Sequence, residues 1–261
     1  MLNLPPPDIE RRPVTTASRI LQGGPVALVT TADRGSANVI PVAWHMPLSA
    51  RPPLVAIAIE QSRHSAEMIS HSEQFALNFP ARSLLHHVQY LGSMSGKEID
   101  KFEATQLETF YAAHLSAPLI KGCVAWVECE VQEVLPFGDH FLYIGLVVAV
   151  HVDPAAFEDR WLLDAAEARP LHFLGANYYS ALDRTMEARL PRSAEAPERV
   201  LAERVREELE LTREAEERRD ELIGEALRDV EAGKIVDLSQ LTREQPSAPG
   251  AIVPLPHGQD V

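Results

Sequence analysis

β-rich runs bounded by turn residues recur along this chain, one alternating cleanly between apolar and polar and one apolar at almost every position, and the pattern predicts strands through most of its first two thirds. Pro25 to Thr31 and Ala37 to Trp44 are β-rich runs on either side of a turn at Asp33-Arg34-Gly35, which together make a hairpin. Pro41 inside the second run predicts an edge or bulged strand, where a missing N–H costs nothing. A third strand, Leu54 to Ile59, follows Pro52-Pro53. Thr15 to Gly23 reads as a short helix stopped at Gly23-Gly24. His64 to Ser70 and Arg82 to Leu91 read as helices, with Phe75 to Phe79 extended between them.

From Cys123 to Val134 the alternation is clean. Cys123, Ala125, Val127, Cys129 and Val131 fall on one face, and Val124, Trp126, Glu128, Glu130 and Gln132 on the other, as in a half-buried antiparallel strand. After a turn at Phe137-Gly138-Asp139, the run from His140 to Val152 is apolar at almost every position. Such a strand is covered on both faces, by a barrel interior and by a helix or a second subunit. Long antiparallel strands with short helices between them predict a mainly β fold with α decoration, a closed or partly open barrel. No GxGxxG and no βαβ alternation argue for a Rossmann domain.

Beyond Pro197 the composition changes. Leu201, Val205 and Leu209, then Leu222, Ala226 and Val230, keep helical spacing around the charged run Arg213 to Glu221, which predicts one long helix with two weak apolar patches. Glu195 to Glu231 holds 14 acidic and 7 basic side chains and so supplies −7 of the chain's net −14. The Pro/Gly-rich stretch after Gln245 is expected to be disordered. The acidic surface repels nucleic acid. With no apolar run of membrane-spanning length and no basic, apolar leader at Met1, a cytoplasmic location is expected. Cys123 and Cys129 form no CxxC pair and are expected to be buried. No cluster with metal-ligand spacing occurs.

Three clusters carry candidate chemistry. Ser62-Arg63-His64-Ser65 joins hydroxyls and a guanidinium to free amides at a helix start, a cradle for phosphate. Taken alone, an ordinary helix cap with a surface arginine is the better account of it. The segment from Ser93 to Phe102 places a Ser95-Gly96 turn beside Lys97 and Lys101, and reads equally as an anion-binding turn or an exposed loop. Gly138-Asp139-His140 sets a histidine at a strand start, where it either plays a structural part or faces a ligand from a barrel rim.

In order and surroundings these clusters resemble the flavin reductase-like (flavoredoxin-type) family. The resemblance is carried by Pro25 to Thr31, Asn38 to Trp44, Pro52 to Ala56, Ser62 to Ser65, Phe75 to Pro80, Ser95-Gly96-Lys97 with Asp100-Lys101-Phe102, Ala117 to Ile120, Glu128-Cys129, and Gly138-Asp139-His140 with Gly145. It runs from about Gly24 to Arg184 and closes on Leu174 to Tyr179. It implies a homodimeric FMN-binding split β-barrel with the flavin near the subunit interface. Asn38, Ile40 and Val42 would line the flavin ring. Ser62, Arg63, Ser65, Ser95, Gly96 and Lys97 would hold the phosphate end, with Asn78, Phe79 and Lys101 supporting the pocket. His140 would stand beside a nicotinamide.

The implied organisation is an N-terminal arm and short helix (1–23), the split-barrel domain (24–190), a charged helix (195–233) and a tail (245–261). The implied activity is an oxidoreductase that takes hydride from NADH or NADPH into FMN and passes electrons to free flavin, a protein partner or another acceptor. The alternatives are an FMN electron carrier without a true nicotinamide site, and a flavin-binding interaction module.

Overall fold

The computed structural model describes residues 12–186 and, further on, residues 205–206, 209–214, 217–218, 220–221, 223–224 and 228, which are helical. The chain divides into two compact units, Met1–Met186 and Glu187–Val261. The helical residues of the second unit fall inside the helix expected over 195–233. Most of the expected N-terminal arm, Leu201, Leu222, Ala226 and Val230, and the tail from 245 lie outside the described residues.

In the first unit a 3-10 turn leads into α1 (Ala17–Ile20), and the expected hairpin follows as β1 (Ala27–Asp33) and β2 (Ser36–Val42). Asp33 pairs with Ser36 across a two-residue turn in which Arg34 and Gly35 both hold positive φ, the geometry that matches strand twist. Next come β3 (His45–Ala50), β4 (Pro53–Glu60), α2 (His64–Ser72), β5 (Gln74–Pro80), α3 (Leu85–Ser93) and α4 (Lys101–Thr105). A short pair, β6 (Thr109–Phe110) and β7 (Leu119–Ile120), precedes the two long strands β8 (Cys123–Phe137) and β9 (His140–Val152). The unit closes on the hairpin β10 (Leu171–Gly175) and β11 (Tyr178–Ala181).

Seven strands form one antiparallel sheet in the order β2-β1-β5-β8-β9-β4-β3. Its two edge strands, β2 and β3, are consecutive and only two residues apart in the chain. The sheet therefore curls until its edges approach, an open barrel rather than a flat layer. Pro41 and Pro47 sit on those edges, as the missing proline N–H requires. The sequence pattern did not reveal β3, because Met46, Pro47 and Leu48 are all exposed there and carry no period-2 signal.

Both faces of the hairpin are covered. Ala27 and Val29 join Ile57, Phe75, Leu77, Cys129 and Tyr143 in one core with Ala66 and Ile69 of α2. Val26, Leu28 and Val39 join Val88 and Leu91 of α3 in a second. Helix α2 is tied down where the Tyr143 hydroxyl donates to Ala66 O at 2.8 Å. In β8 the alternation breaks at irregularities between Glu128 and Cys129 and between Val131 and Glu133. A further shift, where Phe79 pairs with Ala125 and Pro80 with Cys123, leaves Cys123 and Cys129 in different cores, and both are buried as expected. Glu128, on the polar face of the sequence pattern, is fully buried. The segment after β6 crosses over it, and its carboxylate accepts from Ala113 N (2.8 Å), His114 N (2.7 Å) and His151 Nε2 (2.8 Å).

Candidate functional site

The candidate site forms where β4 runs into α2. The chain leaves β4 at Glu60, passes Gln61 and Ser62, and enters the helix after Arg63, whose N–H donates to Glu60 O at 3.0 Å. Arg63 is extended (φ −74, ψ 137), and no side chain caps the start of α2. The first amides of the helix therefore stay open to an outside acceptor, and the helix dipole favours an anion there.

Facing this helix start are β2 and the end of α3. Asn38, Ile40, Ser62, Arg63, His64, Ser65, Leu91, Gly92, Ser93, Met94, Ser95, Gly96, Glu98 and Lys101 line a cavity of about 250 Å³. Two side-chain bridges hold its walls together. Asn38 Nδ2 donates to Ser65 Oγ at 2.9 Å and joins β2 to α2. Lys101 Nζ donates to Val39 O at 3.0 Å and Leu91 O at 2.9 Å, joining α4 to β2 and α3. Gly96 lies so close to β2 that a Cβ there would stand 2.5 Å from Asn38 Oδ1. A side chain at position 96 would have to displace the Asn38 amide, which is bonded to Ser65.

The charges at the cavity mouth come in pairs. Glu60 accepts from Ser62 Oγ at 2.8 Å and Arg63 Nε at 3.0 Å, and the Ser62 and then the Arg63 contact hold its carboxyl below the usual range. Lys97 Nζ lies 3.4 Å from Glu67, which is also 3.6 Å from His64 Nδ1. The bond and charge of Lys97 lower the Glu67 carboxyl. Lys101 is the exception. It is 4% exposed and has no carboxylate partner among the described residues, and burial followed by the nearby Arg63 charge lowers its pKa to about 8.

Eight of the residues singled out in the sequence thus line one cavity: Asn38, Ile40, Ser62, Arg63, Ser65, Ser95, Gly96 and Lys101. The other five are not in its wall. Val42 belongs to the core, and Phe79 packs at its edge. Asn78 is fully buried and pins strands together, donating to Leu28 O (2.8 Å) and accepting from Ile120 N (2.8 Å). Lys97 reaches across to Glu67. His140 starts β9, opposite Glu60 in register, with its Nδ1 2.6 Å from Asp139 Oδ1 and its ring stacked on Trp44 at 4.8 Å. Sequence reasoning missed Glu60, Glu67 and the Leu91–Gly92 wall. A lone acid at a strand end carries no signal until its neighbours across the sheet are known.

The donor set fits a phosphate-bearing ligand. Uncapped helix amides, two hydroxyls, an arginine and a buried ammonium without a counter-ion converge on one space.

Comparison with known proteins agrees in extent. The family model described as flavin reductase like domain matches residues 21–181. An uncharacterised protein YddH of Escherichia coli K12 is 32% identical over 168 residues, spanning 62% of this chain and 89% of the relative. An NADH:FMN oxidoreductase of Rhodococcus erythropolis is 29% identical over 153 residues, 58% of this chain and 72% of the relative. Among solved structures, an FMN-binding protein from Thermus thermophilus with bound p-hydroxybenzaldehyde superposes with a TM-score of 0.59 at 27% identity, covering 72% of this chain and 98% of that one. The mainly β, split-barrel class expected from the sequence is the class of these neighbours.

Proposed function

The chain belongs to the flavin reductase-like family, and from that premise we propose that it is an FMN-dependent oxidoreductase whose cavity between β2, α2 and α3 holds the flavin. The observation that carries this reading is the convergence of open α2 amides, Ser62, Arg63, Ser65 and Lys101 on a single anion-sized space beside Asn38 and Ile40. The residues have distinct parts. Ser62, Arg63, Ser65 and the Ser95-Gly96-Lys97 loop take the phosphate, with charge-assisted bonds from Arg63 and the amides. Asn38 and Ile40 lie along the ring through β2, which Val42 anchors in the core. Lys101 holds β2 and α3 at fixed spacing and adds positive charge to the wall, with Asn78 and Phe79 supporting from behind. FMN supplies the redox chemistry when bound, accepting a hydride and returning electrons one or two at a time. The protein's task is to orient it, exclude water on one side and leave the other open to a donor.

NADH or NADPH is the proposed donor, a reading supported by the similarity to an NADH:FMN oxidoreductase. Free flavin, a protein partner or another small molecule is the acceptor. His140, braced by Asp139 and Trp44, is the residue proposed to face the nicotinamide. A homodimer is part of the proposal, because Leu142, Ile144 and Leu146 of β9 are only half-buried in a single copy. So is a cytoplasmic location; no helix among the described residues is long and apolar enough to cross a membrane. The domain boundaries proposed are those of the sequence reading, with the barrel domain at 24–190 and the charged helix beyond it.

A second reading, an FMN electron carrier without a nicotinamide site, is favoured by one fact. The ring of His140 is already occupied by Asp139 and Trp44, outside the cavity wall. Anaerobic stopped-flow mixing of the FMN-loaded protein with NADH and with NADPH separates the two. Bleaching of the flavin within a catalytic time supports the oxidoreductase; an oxidised spectrum persisting at millimolar nicotinamide supports the carrier.

A further inference from the structure

We infer that Glu60 is a positioning residue for the anion-binding edge of Arg63, an inference that rests on the FMN reading above. The geometry is specific. Glu60 is the last residue of β4, and its two carboxylate oxygens divide the work: Oε1 accepts from Ser62 Oγ at 2.8 Å and Oε2 from Arg63 Nε at 3.0 Å. The bond to arginine uses Nε alone. The two terminal guanidinium nitrogens have no protein partner among the described residues, so the planar edge that suits a phosphate bidentately stays available.

Glu60 is itself held. It pairs with His140 across β4 and β9. The next residue, Gln61, donates its N–H to Asp139 O at 2.9 Å and its side-chain amide to Gly138 O at 3.2 Å. The backbone that carries Glu60 is thus fixed to β9 and its preceding turn, and the carboxylate ties the arginine to that backbone. The arginine side chain is half exposed, so without Glu60 it would sample many rotamers.

Glu60 also repels a phosphate, so two opposite outcomes are physically open. If it acts as a rival anion occupying the cradle, removing it tightens FMN binding. If it acts as a guide, removing it loosens binding. The observations favour the guide, for two reasons. Of the guanidinium only Nε is consumed, the Ser62 hydroxyl being the other donor that Glu60 takes up, and at 50% and 40% side-chain exposure for Arg63 and Glu60 the direct repulsion is screened by water and salt.

The test is a titration of the full chain with FMN and, separately, with riboflavin, which lacks the phosphate. Immobilising one rotamer-rich side chain corresponds to about a two- to tenfold change in affinity. Glu60→Ala is expected to weaken FMN by about that factor and leave riboflavin unchanged. Glu60→Gln, which keeps an oxygen for Arg63 Nε, is expected to stay within about twofold of native. In an Arg63→Ala background, Glu60→Ala is expected to have no further effect. Unchanged or tighter FMN binding by Glu60→Ala, an equal loss for riboflavin, or failure of Glu60→Gln to rescue overturns the inference. FMN affinity lost in Arg63→Ala but kept in Glu60→Ala sinks this inference alone; a native chain that binds no FMN sinks the functional reading with it.

Discussion

Replacing Lys101 by methionine should flatten the alkaline limb of the stability curve. In the native chain the ammonium is 4% exposed, and burial, then the charge of Arg63, brings its pKa from 10.5 to about 8. An unfolded chain keeps that proton to near 10.5. Between about pH 8 and 10.5 the unfolded state therefore binds more protons than the folded one, and stability rises with pH. The difference corresponds to about 3 kcal/mol as an upper bound, moderated by the two carbonyls that accept from the charged form. Methionine fills nearly the same volume and has no proton to exchange, so the rise disappears. It also strands Val39 O and Leu91 O, at about 1–3 kcal/mol each, offset by relief of the buried charge. The offset at neutral pH is thus small in either direction, and the slope is diagnostic. Urea unfolding at pH 7, 8, 9 and 10, followed by tryptophan fluorescence, reads it, because Trp44, Trp126 and Trp161 all lie in the first unit. Burial pushes the Cys129 thiol up to about 12 and raises Cys123 and Tyr143 as well, so their titration in the unfolded chain lowers stability across the same window in native and variant alike, and the difference between the two slopes reports Lys101. Parallel slopes in native and variant would refute the reasoning.

Three further outcomes are expected. Glu128→Gln should destabilise the first unit by about 2–4 kcal/mol in urea titrations, because three donors converge on a fully buried carboxylate. Burial raises that carboxyl, but the bonds from Ala113 N, His151 and His114 N together hold it below its ordinary value. Its contribution is present above the ordinary carboxylate range and is lost as pH falls through the lowered pKa, so the variant should lose acid sensitivity. His140→Ala should slow flavin reduction by nicotinamide in stopped flow while leaving FMN affinity near native; the reverse pattern would make it a pocket support. Truncation after Arg192, just past the end of the first unit, should leave a folded flavin-binding protein, and loss of FMN or of the oligomer in light scattering would assign the charged helix to the functional unit.

Much of the fold was legible because period-2 runs and turn residues coincide. The β1–β2 hairpin is written in β-rich runs around Arg34-Gly35, and the β8–β9 pair in one alternating and one continuously apolar run around Gly138. What stayed hidden arises from contacts between distant segments. Glu128 looks like a solvent-facing strand residue until a crossing loop places Ala113 and His114 over it. Lys101 reads as a surface lysine in a charged turn, and its burial depends on β2 and α3 arriving from 62 and 10 residues away. For the site, the residues alone left Ser62 to Ser65 as an ordinary cap. Family resemblance brought that cluster together with Asn38, Gly96 and Lys101, and the structure sets those four segments around one cavity. It could not foresee Glu60, since a carboxylate beside a phosphate cradle looks unfavourable until its bond to Nε alone is visible.

Whether the Ser62–Ser65 cradle takes a flavin phosphate is tested most directly by equilibrium titration of the purified full chain with FMN and with riboflavin, read by quenching of flavin fluorescence. A charge-assisted phosphate contact is worth roughly 1.5–3 kcal/mol, so FMN should bind at least about tenfold more tightly than riboflavin, and heat-released cofactor should be FMN. Equal affinity for the two flavins, or a colourless protein that quenches neither, would contradict it.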